Sequence, residues 1–139
     1  MAINTPFLAV DGIIELMDGP HLKGIVLIKR KNPPYGWALP GGFVDVGERV
    51  EAALEREMKE ETCLDVVRHE LVGVYSDPAR DARFHTVSLV YRCSAAGTPK
   101  GADDAKEARV YELGELAGLE LAFDHKQIIH DYLMRYHAL

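Results

Sequence analysis

Apolar and polar positions divide the chain into several strand-like runs and two helical stripes. Phe7 to Leu16 (FLAVDGIIEL) is mostly apolar and reads as a strand with a break at Asp11-Gly12. A polar turn, MDGPHLKG, leads to a second strand with a basic end, Gly24 to Lys31 (GIVLIKRK). That order predicts a hairpin. KNPPYGWALPGG is rich in proline and glycine and reads as a loop. A loop of that length points to function. Arg49 to Thr62 carries a helical period, and Val66 to Tyr75 and Thr86 to Cys93 read as strands flanking the charged loop SDPARDARFH. After the turn AAGTPKGADD comes a short strand, Ala108 to Leu113. Asp124 is placed to cap a last helix ending near His137, with Ile128, Ile129, Leu133 and Met134 as its core-facing stripe. Strands and helices mix without βαβ regularity, which predicts an α+β fold, a mixed β-sheet with helices packed on it.

The first helix breaks its own pattern. At roughly 100° per residue, Ala53, Leu54 and Leu64 fall within roughly 60° of Val50 and form the oily side. Glu51, Glu55 and Lys59 fall on a solvated side, where Glu55 and Lys59 pair favourably. Yet Glu57 and Glu61 lie within roughly 20° of the centre of the oily stripe, and Glu60 lies at its edge. Carboxylates there must lose their water or meet a cavity. At about 6 Å they repel by roughly 3 kcal/mol per pair at an effective dielectric near 20. Solvent screens them, protons neutralise them, or a cation sits among them. Magnesium (Mg²⁺) suits the last case, because it takes oxygen ligands from a few carboxylates, water and phosphate. Just upstream, Gly41-Gly42 lets bare backbone approach this face, and Gly41 is placed to offer a carbonyl ligand.

Composition narrows the classes. With 139 residues, 47% of them apolar, the chain has material for one core, and 1–139 is expected to be a single domain. A net charge of -6 disfavours non-specific nucleic-acid binding. Two isolated cysteines, Cys63 and Cys93, make neither a disulfide framework nor a zinc site. The opening MAINTPFLAV lacks a basic n-region, and no apolar run suits a membrane span. A cytoplasmic setting is the resulting expectation.

Gly42, five residues, Glu48, seven residues, then Arg56-Glu57-Met58-Lys59-Glu60-Glu61-Thr62-Cys63-Leu64 resembles the signature box of the Nudix hydrolases. One fixed position departs, because Cys63 stands where the family has glycine. VLIKRK before the loop and WALPGGFVDVGE leading into the box extend the likeness. The resemblance implies an α/β/α sandwich with a mixed sheet and hydrolysis of a nucleoside diphosphate linked to another moiety. It implies Mg²⁺, with Mn²⁺ as a substitute. Glu57, Glu60 and Glu61 would be metal ligands beside Gly41, and Glu48 and Arg56 supports for them. It also admits a homodimer. Cysteine does not take a positive φ cheaply, so Cys63 is expected to alter the helix end. The attacking water needs a base; Glu61 and a later-loop residue both qualify, and Glu107 is the choice for an accessory ligand or base.

Ser76 to Tyr91 (SDPARDARFHTVSLVY) resembles the matching stretch of ADP-ribose pyrophosphatases, including Pro78. Arg80 and Arg83 would then hold a phosphate or ribose, since guanidinium suits oxyanions. Asp77 and Asp81 are alternative partners for both. Arg30, with Lys29 and Lys31, would attract the diphosphate. Phe84, Tyr35 and Trp37 are available to stack on a base, with Trp37 favoured for packing. The six histidines are scattered and read as surface or hydrogen-bonded residues. The expected substrate is a small nucleotide diphosphate, ADP-ribose or a similar ADP-sugar, split into AMP and a sugar phosphate. A nucleoside triphosphate sanitiser and a non-catalytic nucleotide sensor are the rivals. No nucleic-acid or membrane partner is expected.

Overall fold

The computed structural model describes residues 2–138; Met1 and Leu139, the ends of the expected 1–139 unit, lie outside the described residues. Strands β1 (Phe7–Asp18), β2 (His21–Arg30), β3 (Gly36–Ala38) and β4 (Gly41–Phe43) precede helix α1 (Val50–Thr62). Strands β5 (Val67–Tyr75), β6 (Thr86–Ala95) and β7 (Ala105–Tyr111) follow, then α2 (Leu113–Leu116) and α3 (His125–Tyr136). They build a 7-stranded sheet in which β1 and β6 run parallel and the remaining pairs are antiparallel. This is the expected mixed sheet.

The sheet splits where the site will lie. β1 and β2 pair only near their shared turn, Glu15 to Asp18 against His21 to Ile25. Beyond it β1 takes β4 as neighbour, while β2 takes β3 and β7. β1 is covered on both faces, and its buried positions run from Ala9 to Leu16 without an exposed gap, Asp11 and Glu15 included. Val10, Ile14 and Leu16 pack with Ala53, Leu54 and Met58 of α1. Ile13, on the other face, packs with Ile128, Ile129 and Tyr132 of α3. The layers are therefore helix, sheet, helix. No helix among the described residues is long and apolar enough to cross a membrane.

Several expectations are corrected. β1 runs unbroken through Asp11-Gly12. Gly12 is where α1 comes close: a Cβ there would sit 2.4 Å from Met58 Sδ. The proline-rich loop contains β3 and β4, and the last strand ends at Tyr111 because Glu112 and Glu115 form a capping box that starts α2. Asp124 stands at the N-cap of α3 but makes no side-chain cap bond. Met134 is 55% exposed, and Tyr132 takes the core place instead.

The end of α1 bears on Cys63. Its φ of 61° and ψ of 18° are left-handed, and its N–H donates to the Lys59 carbonyl. The cysteine thus accepts the conformation that glycine adopts freely, and the expected change in the helix end does not occur. Thr62 Oγ1 donates to the Met58 carbonyl at 2.6 Å, and Lys100 N–H donates to the Thr62 carbonyl at 2.9 Å, which secures that turn. A left-handed L-residue costs about 1–2 kcal/mol, partly offset by the looser unfolded chain a glycine brings. Cys63→Gly is therefore expected to stabilise the fold by about 0.5–1 kcal/mol, read as a higher midpoint in urea denaturation.

Candidate active site

A cleft of ≈ 380 Å³ opens where the sheet splits, lined by residues from both sides of the split. That volume suits a small-molecule ligand. Its lining carries the carboxylates of Asp11, Asp45, Glu57, Glu61, Asp81, Asp103 and Asp104. Arg30, Arg80, Arg83, Phe43, Phe123 and His125 share that lining, and the loop with Asp104 adjoins Arg30, since Lys31 N–H donates to the Asp104 carbonyl at 3.2 Å.

The glutamates of α1 do not share one environment. Glu61 is 3% exposed, and its Oε1 accepts the Gly41 N–H at 2.7 Å. Burial, then nearby Glu57, Asp11 and Asp104, push its carboxyl up to about 8 despite that bond. Glu57 is half-buried, and burial raises it too, although Arg56 donates to it at 2.9 Å. Glu60 turns away: its side chain is 40% exposed, it meets Arg56 at 3.3 Å, and it does not line the cleft.

Backbone approach sets the carboxylate wall. A Cβ on Gly42 would lie 2.4 Å from the Glu57 carboxyl carbon, and one on Gly41 would lie 2.1 Å from Asp11 Oδ1. Only glycine lets β4 lie this close. Arg56 fastens the arrangement. It grips Glu48 with two bonds at 2.8 and 2.9 Å and reaches the Phe43 carbonyl at 3.1 Å. The Arg56 bonds, then the Asp45 N–H, hold the Glu48 carboxyl down at about 2. So the loop before α1 is tied to the helix that carries Glu57 and Glu61.

The other expected residues divide. Arg30 and Arg83 line the cleft. Arg83 pairs with Asp81 at 2.9 Å, as the alternative reading allowed, while Asp77 caps its own turn by accepting the Ala79 N–H. Arg80 also lines the cleft, but its guanidinium is spent on Asp124, in bonds of 2.9 and 2.8 Å with its side chain only 4% exposed. It braces loop 76–85 against the start of α3, which corrects its assignment to phosphate. Phe84 lies beside rather than in the cleft, 4.7 Å from Phe7 and 6.0 Å from Phe43 between ring centroids, and of these only Phe43 lines the cleft. Glu107 is misplaced for chemistry: it sits in β7 opposite Lys29, binds Arg109 at 2.8 Å and does not line the cleft. Trp37 packs edge-on against Tyr111, as expected.

Sequence reading missed Asp11, Asp103, Asp104, Phe123 and His125. Asp11 had a signal, an acid inside an apolar strand, which Glu15 shares. Asp11 Oδ2 accepts the Ser88 hydroxyl. His125 is buried, and its Nδ1 accepts the Leu39 N–H at 2.9 Å. Accepting that bond leaves Nδ1 without a proton, so the proton is on Nε2, 4.0 Å from Asp11 Oδ1, and burial lowers the pKa in the same sense.

Among the described residues no three His, Cys, Asp or Glu side chains enclose a cation by themselves. The donors nevertheless fit a hard ion. Two desolvated carboxylates meet at a backbone that only glycine can bring so near, and Mg²⁺ is commonly held by one or two carboxylates plus substrate phosphate.

Residues 6–132 match the NUDIX domain family. The chain is 50% identical over 131 residues to an ADP-ribose pyrophosphatase of Methanocaldococcus jannaschii, covering 92% of this chain and 73% of that one. It is 30% identical over 137 residues to the ADPR responsive transcriptional repressor NtrR of Acinetobacter baylyi, covering 94% of this chain and 54% of the repressor. The solved NUDIX domain of Shewanella oneidensis NrtR, complexed with ADP ribose, superposes with a TM-score of 0.82 at 26% identity, covering 96% of this chain and 90% of that one. The protein belongs to the Nudix family and is a Nudix hydrolase, an enzyme that acts on phosphoric anhydride bonds. Nudix hydrolases generally use divalent metal ions.

The buried carboxyl of Glu61 gives a pH prediction. Its folded pKa of about 8 lies above the ordinary 4.5, so the folded chain holds this proton more tightly than the unfolded chain. Stability from this group is complete below pH 4.5 and is lost as pH rises to about 8. With chelator present, Glu61→Gln is expected to remove this decline, on the order of 4 kcal/mol, in denaturation midpoints taken across that window.

Proposed function

We propose that this enzyme hydrolyses ADP-ribose, or a closely similar ADP-sugar, to AMP and a sugar phosphate with Mg²⁺. The observation that carries the reading is the lining of the cleft, in which buried carboxylates beside bare glycine backbone are joined by Arg30 and Arg83. The 50% identical ADP-ribose pyrophosphatase supports the choice of substrate.

Glu57 and Glu61 would hold the cation beside Gly41. The ion supplies charge neutralisation for the diphosphate and a more acidic water. Arg56 and Glu48 keep the two carboxylates and the glycine backbone in register. Glu60, spread toward Arg56 and solvent, serves that support more than the cleft. A proton must leave the attacking water. Asp103 and Asp104, whose carboxylates have no hydrogen-bond partner among the described residues, line the cleft from a later loop, near enough for their charges to act on Glu57 and Glu61, and would receive it. Arg30 and Arg83 would meet the phosphate oxygens, and the Phe43 ring, backed by Phe84 and Phe7, offers a face for the base.

A sensing role without turnover is the second reading, favoured by the likeness to the A. baylyi repressor. The intact carboxylate wall speaks against it.

One panel separates these. Purified protein with Mg²⁺ is assayed against ADP-ribose, other ADP-sugars, NADH, diadenosine polyphosphates and dNTPs. ADP-ribose is expected to lead, and Glu61→Gln to lose about 10²-fold or more in kcat. A tenfold lead for dNTPs in kcat/KM, about 1.4 kcal/mol of discrimination, would overturn the substrate. Inactivity on the whole panel would favour the sensor.

A further inference from the structure

Phe123 has a φ of 56°, a conformation that a bulky side chain takes only where its surroundings impose it. The constraints are on either side of it. Ala122 N–H donates to the Trp37 carbonyl at 2.9 Å. Asp124 takes the Arg80 guanidinium in two bonds, and His125 takes the Leu39 N–H. Between these anchors the ring is thrust into the cleft.

Two guanidiniums share that ring. Arg30 Cζ lies 4.8 Å from its centroid and Arg83 Cζ 5.3 Å, Arg83 being held also by the Phe84 ring at 4.9 Å. The negative face of an aromatic ring attracts each cation, but nothing in it removes their mutual repulsion. Arg83 has Asp81. Arg30 makes no ion pair among the described residues; its guanidinium donates to the Pro34 carbonyl at 2.7 Å and to the Pro33 carbonyl at 3.5 Å. Burial, and then Arg83, lower the basicity of Arg30. Among the described residues Arg30 is thus the cleft guanidinium with no carboxylate partner, while Arg83 has Asp81 and Arg80 has Asp124.

We propose that Phe123 is a positioning residue, a fixed spacer that holds Arg30 and Arg83 apart on one ring so that a phosphate group of the substrate bridges them. The strained backbone is then the means of putting an aromatic face where two cations need one. The spacer rests on the preceding reading only in requiring a phosphate-bearing substrate.

A double-mutant cycle tests it. Wild type, Phe123→Leu, Arg30→Gln and the double variant are assayed with Mg²⁺ on the diphosphate that wild type cleaves best, so a wrong guess of ADP-ribose shows in the wild-type panel and not here. Phe123→Leu is expected to raise KM about tenfold, with kcat within about twofold, because leucine fills space but offers no ring face. Phe123→Tyr, which keeps the face, should return KM to within about twofold of wild type. The double variant should be little worse than Arg30→Gln alone, since the two act as a unit. Independent, multiplying effects of the two substitutions would overturn the proposal. So would an unchanged KM in Phe123→Leu, or a tyrosine variant as impaired as the leucine one. If Phe123→Leu does not fold, Phe123→Met takes its corner of the cycle, and the same results decide.

Discussion

The structure turns on how closely a bare backbone can approach buried carboxylates. β4 lies against α1 because Gly41 and Gly42 have no side chains to hold it off, and the gap is closed by the Gly41 N–H on Glu61. That contact does not repay what the carboxylates lose by leaving water, which is why Glu57 and Glu61 both have raised pKa values. The wall is stable as a neutral acid or as a cation site, and poor as a bare pair of charges.

Other features serve to hold that wall. Arg56 binds Glu48 and Glu57 together, so the loop and the helix move as one. Gly12 lets α1 settle on β1 at Met58. On the far side, Arg80 and Asp124 clamp the loop that carries Arg83 to the start of α3, and His125 fixes Leu39, two residues before Gly41. The Glu61 carboxyl and the start of α3 are thus joined through the short segment 39–42.

Much of this was legible because it is local. Helical spacing alone brought Glu57 and Glu61 to the inner face, and the glycine pair announced a close approach. The same spacing misled for Glu60, because angle does not say that an arginine four residues back will draw the side chain outward. The long-range pairs left no trace in any run of sequence. Arg80 and Asp124 are 44 residues apart, and Leu39 and His125 are 86 apart. A histidine at a helix start looks ordinary until a distant N–H is found on it. Asp11 was mistaken for a break because an acid beside glycine resembles a turn. Its partner, Ser88, arrives from a parallel strand far along the chain. Glu107 failed for a simpler reason: strand alternation turned it toward Arg109 and away from the cleft.

The central claim is that the Glu57 and Glu61 carboxylates are costly to ionise unless a divalent cation meets them. Titration calorimetry with Mn²⁺ at pH 7, repeated in buffers of different ionisation heat, measures this directly. The account predicts binding accompanied by release of about one proton per ion, the proton that Glu61 holds when its pKa is near 8. Absence of binding, or binding that releases no proton, would contradict it.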